Sequence, residues 1–173
     1  YNKSNTKILL FVIIIFVLFV AVVLPYFADL STRLIGVAES PDTNFSFDLK
    51  FLYDLREDYG EYGRRIYLIL RFTFDLVWPI VYTSFLLISL IELMKKTNKK
   101  YIILYIPIVG MLFDYLENIF ASLFMVLYPK TVNFIAYLLM GSSILKWTFL
   151  MLGFIMVFYY LILLLLKKIK PSN

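Results

Sequence analysis

Cysteine and histidine are both absent from this chain of 173 residues. Without thiols there are no disulfides and no thiolate nucleophile. Without either residue type the usual zinc, haem and iron–sulfur sites have no ligands. A metal would depend on oxygen donors alone, and neither a metal nor a cofactor is expected. Charge is scarce as well, at 17% of residues. What fills the chain is apolar: 62% of residues are hydrophobic, 19% are aromatic, and the mean hydropathy is +0.84. That is too apolar for a soluble domain of this size and predicts an integral membrane protein, with the lipid bilayer as its first partner. The net charge of +5 does not indicate nucleic acid, because the lysines sit where helices would leave a membrane.

Ile8 to Leu24 is an almost unbroken run of Ile, Val, Leu and Phe behind Lys3 and Lys7. The run exceeds the usual apolar core of a secretory signal, and no small-x-small cleavage site follows. It reads as an uncleaved first span over 8–28, with Pro25 and Asp29 marking its exit into water. Residues 29–65 change character, with eight acids, five bases and Gly36, Pro41, Gly60 and Gly63 as breakers. Within them Ser46 is placed to cap a short helix over Phe47 to Tyr59, on which Phe45, Leu49, Leu52 and Leu55 make one apolar stripe. This segment is expected to cover the bundle as a surface cap; a lid over a substrate is the alternative.

A second span is expected over 66–94, an inner loop over 95–100, a third span over 101–128 and a fourth over 133–166, with a cytoplasmic tail over 167–173. The fourth is longer than a ~30 Å hydrocarbon core requires, so it must tilt or project. Lysines cluster at the amino end, in the 95–100 turn and in the tail, whereas the long loop is net acidic. The positive-inside rule then puts both termini in the cytoplasm, with the plasma membrane as the expected location. The predicted fold class is all-α: a four-helix transmembrane bundle forming one membrane domain, with a partly helical extracytoplasmic cap between helices 1 and 2.

Ionisable residues interrupt three of these spans. The third carries Asp114, Glu117 and Asn118, the second Arg71 and Asp75 ahead of Pro79, and the fourth Lys146 beside Trp147. Such groups cost several kcal/mol at membrane depth unless paired or hydrated. Counted from the helix ends they share a layer, with Arg71 nearer the loop. Spacings of three and four put Arg71, Asp75, Trp78 and Tyr82 on one face of the second span, and Gly110, Asp114, Glu117, Asn118 and Ala121 on one face of the third. Ser142, Ser143, Lys146 and Gly153 share a face of the fourth. Three acids against two bases leave one formal negative charge, and a carboxyl in that position suits a general acid, a proton carrier or a binder of a cationic ligand. Glu117 and Asp114 are the expected primary acids and Asp75 would share their charge. Lys146 and Arg71 would hold an anionic group, and Trp78, Tyr82 and Trp147 would line the walls. Proline at position 79 frees the carbonyl of Asp75 one turn earlier.

Weaker patterns accompany this one. Ser143-Ile-Leu-Lys146 matches the Ser-x-x-Lys of penicillin-binding enzymes, but the companion elements are missing. Asp75 and Asp114 lack the sequence contexts of intramembrane aspartyl proteases. Four helices enclosing carboxylates and tryptophans are similar in architecture to the sterol-isomerase and sigma-2-receptor group; no motif matches residue for residue, and the resemblance implies only a lipid-like ligand. The function expected is therefore binding, or acting on, a small amphiphilic molecule in an acidic pocket opening outward. Whether the protein is an enzyme stays open. The alternative is an accessory subunit of a membrane-protein complex, in which the charges form a structural network. A proton-coupled transporter is disfavoured by the apolar inner halves of helices two and four.

Overall fold

The computed structural model of the protein describes residues 3–41, 48–95 and 101–169. Ser46, Phe45, Phe47, the basic turn beyond Lys95 and the end of the tail lie outside the described residues. Among the described residues every regular element is helical: α1 Lys3–Leu18, α2 Leu24–Ile35, α3 Leu49–Asp58, α4 Gly60–Arg71, α5 Phe74–Met94, α6 Tyr105–Val126 and α7 Asn133–Ile169. Four stretches, Thr6–Ile35, Gly60–Met94, Ile102–Val126 and Asn133–Leu166, are long and apolar enough to cross a membrane.

The first stretch does not end at residue 28. Pro25 has no N–H, and its ring crowds the carbonyl one turn earlier. The chain absorbs this in a π turn over Phe19–Val23, where the Leu24 N–H donates to the Phe19 carbonyl. Beyond it α2 runs on to Ile35 and stops at Gly36, whose φ of 82° and N–H bond to the Thr32 carbonyl make a left-handed cap. Residues 29–35, expected as loop, are thus helix. The most apolar window of this stretch buries none of its residues inside the protein, as a helix that is apolar all round does when lipid is its solvent. It docks on α5 through rings, with Phe16 stacked on Phe85 at 4.2 Å and Phe27 on Phe74 at 4.5 Å.

The second stretch also departs from expectation. It begins at Gly60 and breaks at Phe72 and Thr73, between Arg71 and Asp75. The Thr73 hydroxyl turns back onto the Ile69 carbonyl at 2.7 Å, which supports the break locally. α6 and α7 form the closest antiparallel pair, joined through a cis Tyr128–Pro129 turn. Gly110 sits where a Cβ would come within 3.3 Å of the Phe149 Cβ, so the bare backbone sets the spacing of this pair.

The cap helix α3 starts one residue beyond Asp48, whose carboxylate accepts the Phe51 N–H at 3.2 Å. Asp48 is the N-cap of this helix. Leu52 and Leu55 are buried together with Ile35, Tyr59 and Tyr67 against Ala121, Phe124, Ala136 and Leu139. This core closes one end of the α6–α7 pair and holds α3 against it. Its buried cation is Arg56, which donates to the carbonyls of Phe124 at 3.0 Å and Lys130 at 3.2 Å. The guanidinium lies over the Phe124 ring at 4.5 Å. Burial lowers its pKa from the ordinary arginine value, and these two carbonyls offset that desolvation.

Candidate functional site

Asp114, Glu117 and Asn118 recur at helical spacing on α6, and all three are buried. Their face is turned to α5 and α7. Glu117, fully enclosed, accepts the Lys146 ammonium at Oε1, 2.9 Å, and holds it in an ion pair at Oε2, 2.8 Å. Arg71 comes within 3.5 Å of the same carboxylate and 3.2 Å of Asp75, and donates to the side-chain amide oxygen Oδ1 of Asn118 at 2.9 Å. The break between α4 and α5 does not part Arg71 from Asp75. Asp114 accepts the Tyr82 hydroxyl at 2.9 Å. Two cations rest against aromatic faces, Arg71 4.7 Å from the Tyr67 ring and Lys146 5.1 Å from the Trp147 ring.

Pro79 contributes through what it lacks. Its missing N–H removes the usual helical donor to the Asp75 carbonyl, and the Asn118 side-chain amide donates to that carbonyl at 3.1 Å. The next carbonyl, that of Leu76, accepts the Tyr115 hydroxyl at 3.0 Å. Two α6 side chains thereby hold the distorted turn of α5, so a backbone defect becomes an interhelical joint.

Beside this network lies a cavity of about 350 Å³. Arg71, Asp75, Trp78, Asp114, Lys146 and Trp147 are in its lining; Glu117, Asn118 and Tyr82 are not, and act through bonds to residues that are. The Asp75 side chain is 22% exposed against 4% for Arg71, which makes it the more open of the two. Tyr82 is therefore a support for Asp114 and no part of the wall. Lys146 and Arg71, expected to hold an anion, hold Glu117. Ser143 of the Ser-x-x-Lys match is buried and lies outside the lining.

A further wall was not anticipated. Leu24, Phe27, Ala28, Ser31 and Thr32 of α2 face the cavity, joined by Glu39 and Ser40 of the following loop and by Tyr67 and Leu70 of α4. The α2 positions repeat at three and four, a signal present in the sequence but cut off by reading Pro25 and Asp29 as the helix end. Among the described residues no group of three or more carboxylates is arranged to hold a metal ion. The lining brings ionised groups, hydroxyls and aromatic rings onto one space, an arrangement suited to a molecule that is itself polar at one end.

Comparison with protein-family models, with curated proteins and with solved structures finds no match to this chain. The architectural likeness to the sterol-isomerase and sigma-2-receptor group accordingly gains no support. The fold defines an all-helical protein with four helices able to span a membrane, and its function has to be argued from its own site.

Proposed function

We propose that this chain is a multi-pass membrane protein, with both termini cytoplasmic and the α3 cap outside, whose cavity binds a small amphiphilic molecule. The observation that carries the reading is the composition of the cavity wall. Asp75, held by Arg71, and Asp114, held by Tyr82, share one lining with Leu24, Phe27, Phe74 and Trp78. Ionised groups at membrane depth are expensive, and here they border open space instead of being wholly closed on each other. The volume falls in the range of small-molecule sites. Lysines on one side and the acidic loop on the other support the orientation, and the plasma membrane is the location we assign.

Native mass spectrometry of the protein extracted in mild detergent tests this reading. The expected spectrum carries a bound small molecule that is lost in Ala28→Phe, which fills the cavity from α2. A protein with no adduct in either form overturns it.

A second reading is an accessory subunit of a larger membrane complex, with the charges as a structural network. It is favoured by the closure of Lys146 onto both oxygens of Glu117. Under it the same spectrum shows a stoichiometric protein partner, and Ala28→Phe changes nothing.

A further inference from the structure

The charge of the ligand's polar end follows from the balance around the cavity. Asp75 and Asp114 line it and Glu117 stands directly behind, against the cations of Arg71 and Lys146. Three carboxylates less two cations leave one formal negative charge, and Glu39 in the lining adds to it. The two bases are engaged by the protein itself: Lys146 by both oxygens of Glu117, Arg71 by Asn118 and Asp75. An anionic head would have to displace these bonds and approach the carboxylates. A cationic head adds a donor to carboxylates that already accept from Arg71 and Tyr82. The Thr32 hydroxyl, also in the lining, spends its proton on the Ala28 carbonyl at 3.0 Å and keeps its lone pairs.

Resting on the amphiphile reading above, we infer that the cavity takes a cationic amphiphile of the alkylamine class. Its ammonium sits against Asp75 and Asp114, and its apolar part lies along Leu24, Phe27 and Phe74. One ammonium balances the residual charge of the network. Each N–H of such a head donates to a carboxylate or hydroxyl, and charge-assisted bonds of this kind are the strong ones in a low-dielectric site.

The protein supplies its own reporter. Its two tryptophans, Trp78 and Trp147, both line the cavity, so intrinsic tryptophan emission reads this space. The full chain is reconstituted in phosphatidylcholine vesicles and titrated at pH 7 with decylamine, decanol and decanesulfonate, which share a tail and differ in head. Decylamine is expected to give a saturable change at a concentration lower by about tenfold or more than decanol, the worth of a hydrogen bond to a charged group. Decanesulfonate is expected to give none. Asp75→Asn should bring decylamine to the level of decanol. Equal saturation by decylamine and decanol, abolished in Ala28→Phe, overturns the cation inference while the amphiphile reading stands; preferential binding of decanesulfonate overturns it likewise. No saturable response to any probe overturns both. The wild-type comparison of three heads decides the sign even where Asp75→Asn fails to reconstitute.

Discussion

The side-chain amide of Asn118 donates to the backbone carbonyl of Asp75 at 3.1 Å, filling the place of the N–H that Pro79 lacks. The joint couples a side chain of α6 to a defect in α5, and a double-mutant cycle measures it. Asn118→Leu is expected to cost about 1–3 kcal/mol, because a buried carbonyl is left without its donor. In a Pro79→Ala background the helix can make its own bond to that carbonyl, so the same Asn118→Leu change should cost about 1 kcal/mol less. The loss of the Arg71 contact to Asn118 is common to both arms and cancels. Equal costs in both backgrounds, read by thermal unfolding in detergent, would show that the joint carries no energy.

Glu117 is the hub of the charge network, with Lys146 on both oxygens and Arg71 at 3.5 Å. Removing one partner of a buried pair costs about 3–5 kcal/mol, since the other charge is left uncompensated. Glu117→Gln removes the carboxylate that faces two cations, of which Arg71 keeps Asp75, whereas Lys146→Met leaves a carboxylate that still has Arg71. Glu117→Gln is therefore expected to be the more destabilising single change. Combining the two should cost less than the sum of the singles. Melting temperatures of the three variants check the order.

Tyr82 tests how Asp114 is held. It is fully buried, and its hydroxyl donates to that carboxylate at 2.9 Å. Tyr82→Phe keeps the ring and removes the donor, with an expected loss of about 1–3 kcal/mol. Because Tyr82 is outside the cavity lining, the mutation should lower the affinity for decylamine through Asp114 without abolishing it. An unchanged titration would mean that Asp114 needs no positioning.

The ion network was legible because intramembrane charge is rare and helical spacing is rigid: Arg71, Asp75, Asp114, Glu117, Asn118 and Lys146 could be put on facing sides by counting alone. The bond from Asn118 to Asp75 could be anticipated only by half, since Pro79 names the freed carbonyl but not the group that takes it. The α2 wall was missed for a physical reason. Proline and an acid together mark a helix end in water, yet a π turn lets the chain pass Pro25 and continue to Ile35. Arg56 was missed because a charged residue in a polar loop is ordinarily solvated; its position beside Leu52, Leu55 and Tyr59 on the buried stripe of α3 was the available signal.

Arg56 predicts how firmly the cap is held. Its guanidinium bonds the Phe124 carbonyl in the last turn of α6 and the Lys130 carbonyl in the turn that follows, and lies over the Tyr53 and Phe124 rings at 4.8 and 4.5 Å. Lysine cannot reproduce a planar fork that bonds and stacks at once. Arg56→Lys is expected to cost about 1–3 kcal/mol, and to loosen α3 locally. Limited proteolysis should then cut within 48–60 faster than in the wild type while the α6–α7 pair stays intact. Uniform destabilisation without faster local cleavage would argue against a clamp at this end.

The orientation is open to a direct test because the chain has no cysteine of its own. Asp58→Cys places one thiol at the exposed end of α3, and Thr97→Cys places one within the basic turn while keeping every lysine. If lysine clusters are retained in the cytoplasm, a membrane-impermeant maleimide applied to intact cells should label the thiol at 58 and reach the thiol at 97 only after permeabilisation. Adding lysines to the 29–41 segment should weaken this bias and produce a mixed population, because the rule counts positive residues in short loops. The reverse labelling pattern would put α3 in the cytoplasm and overturn the proposed orientation.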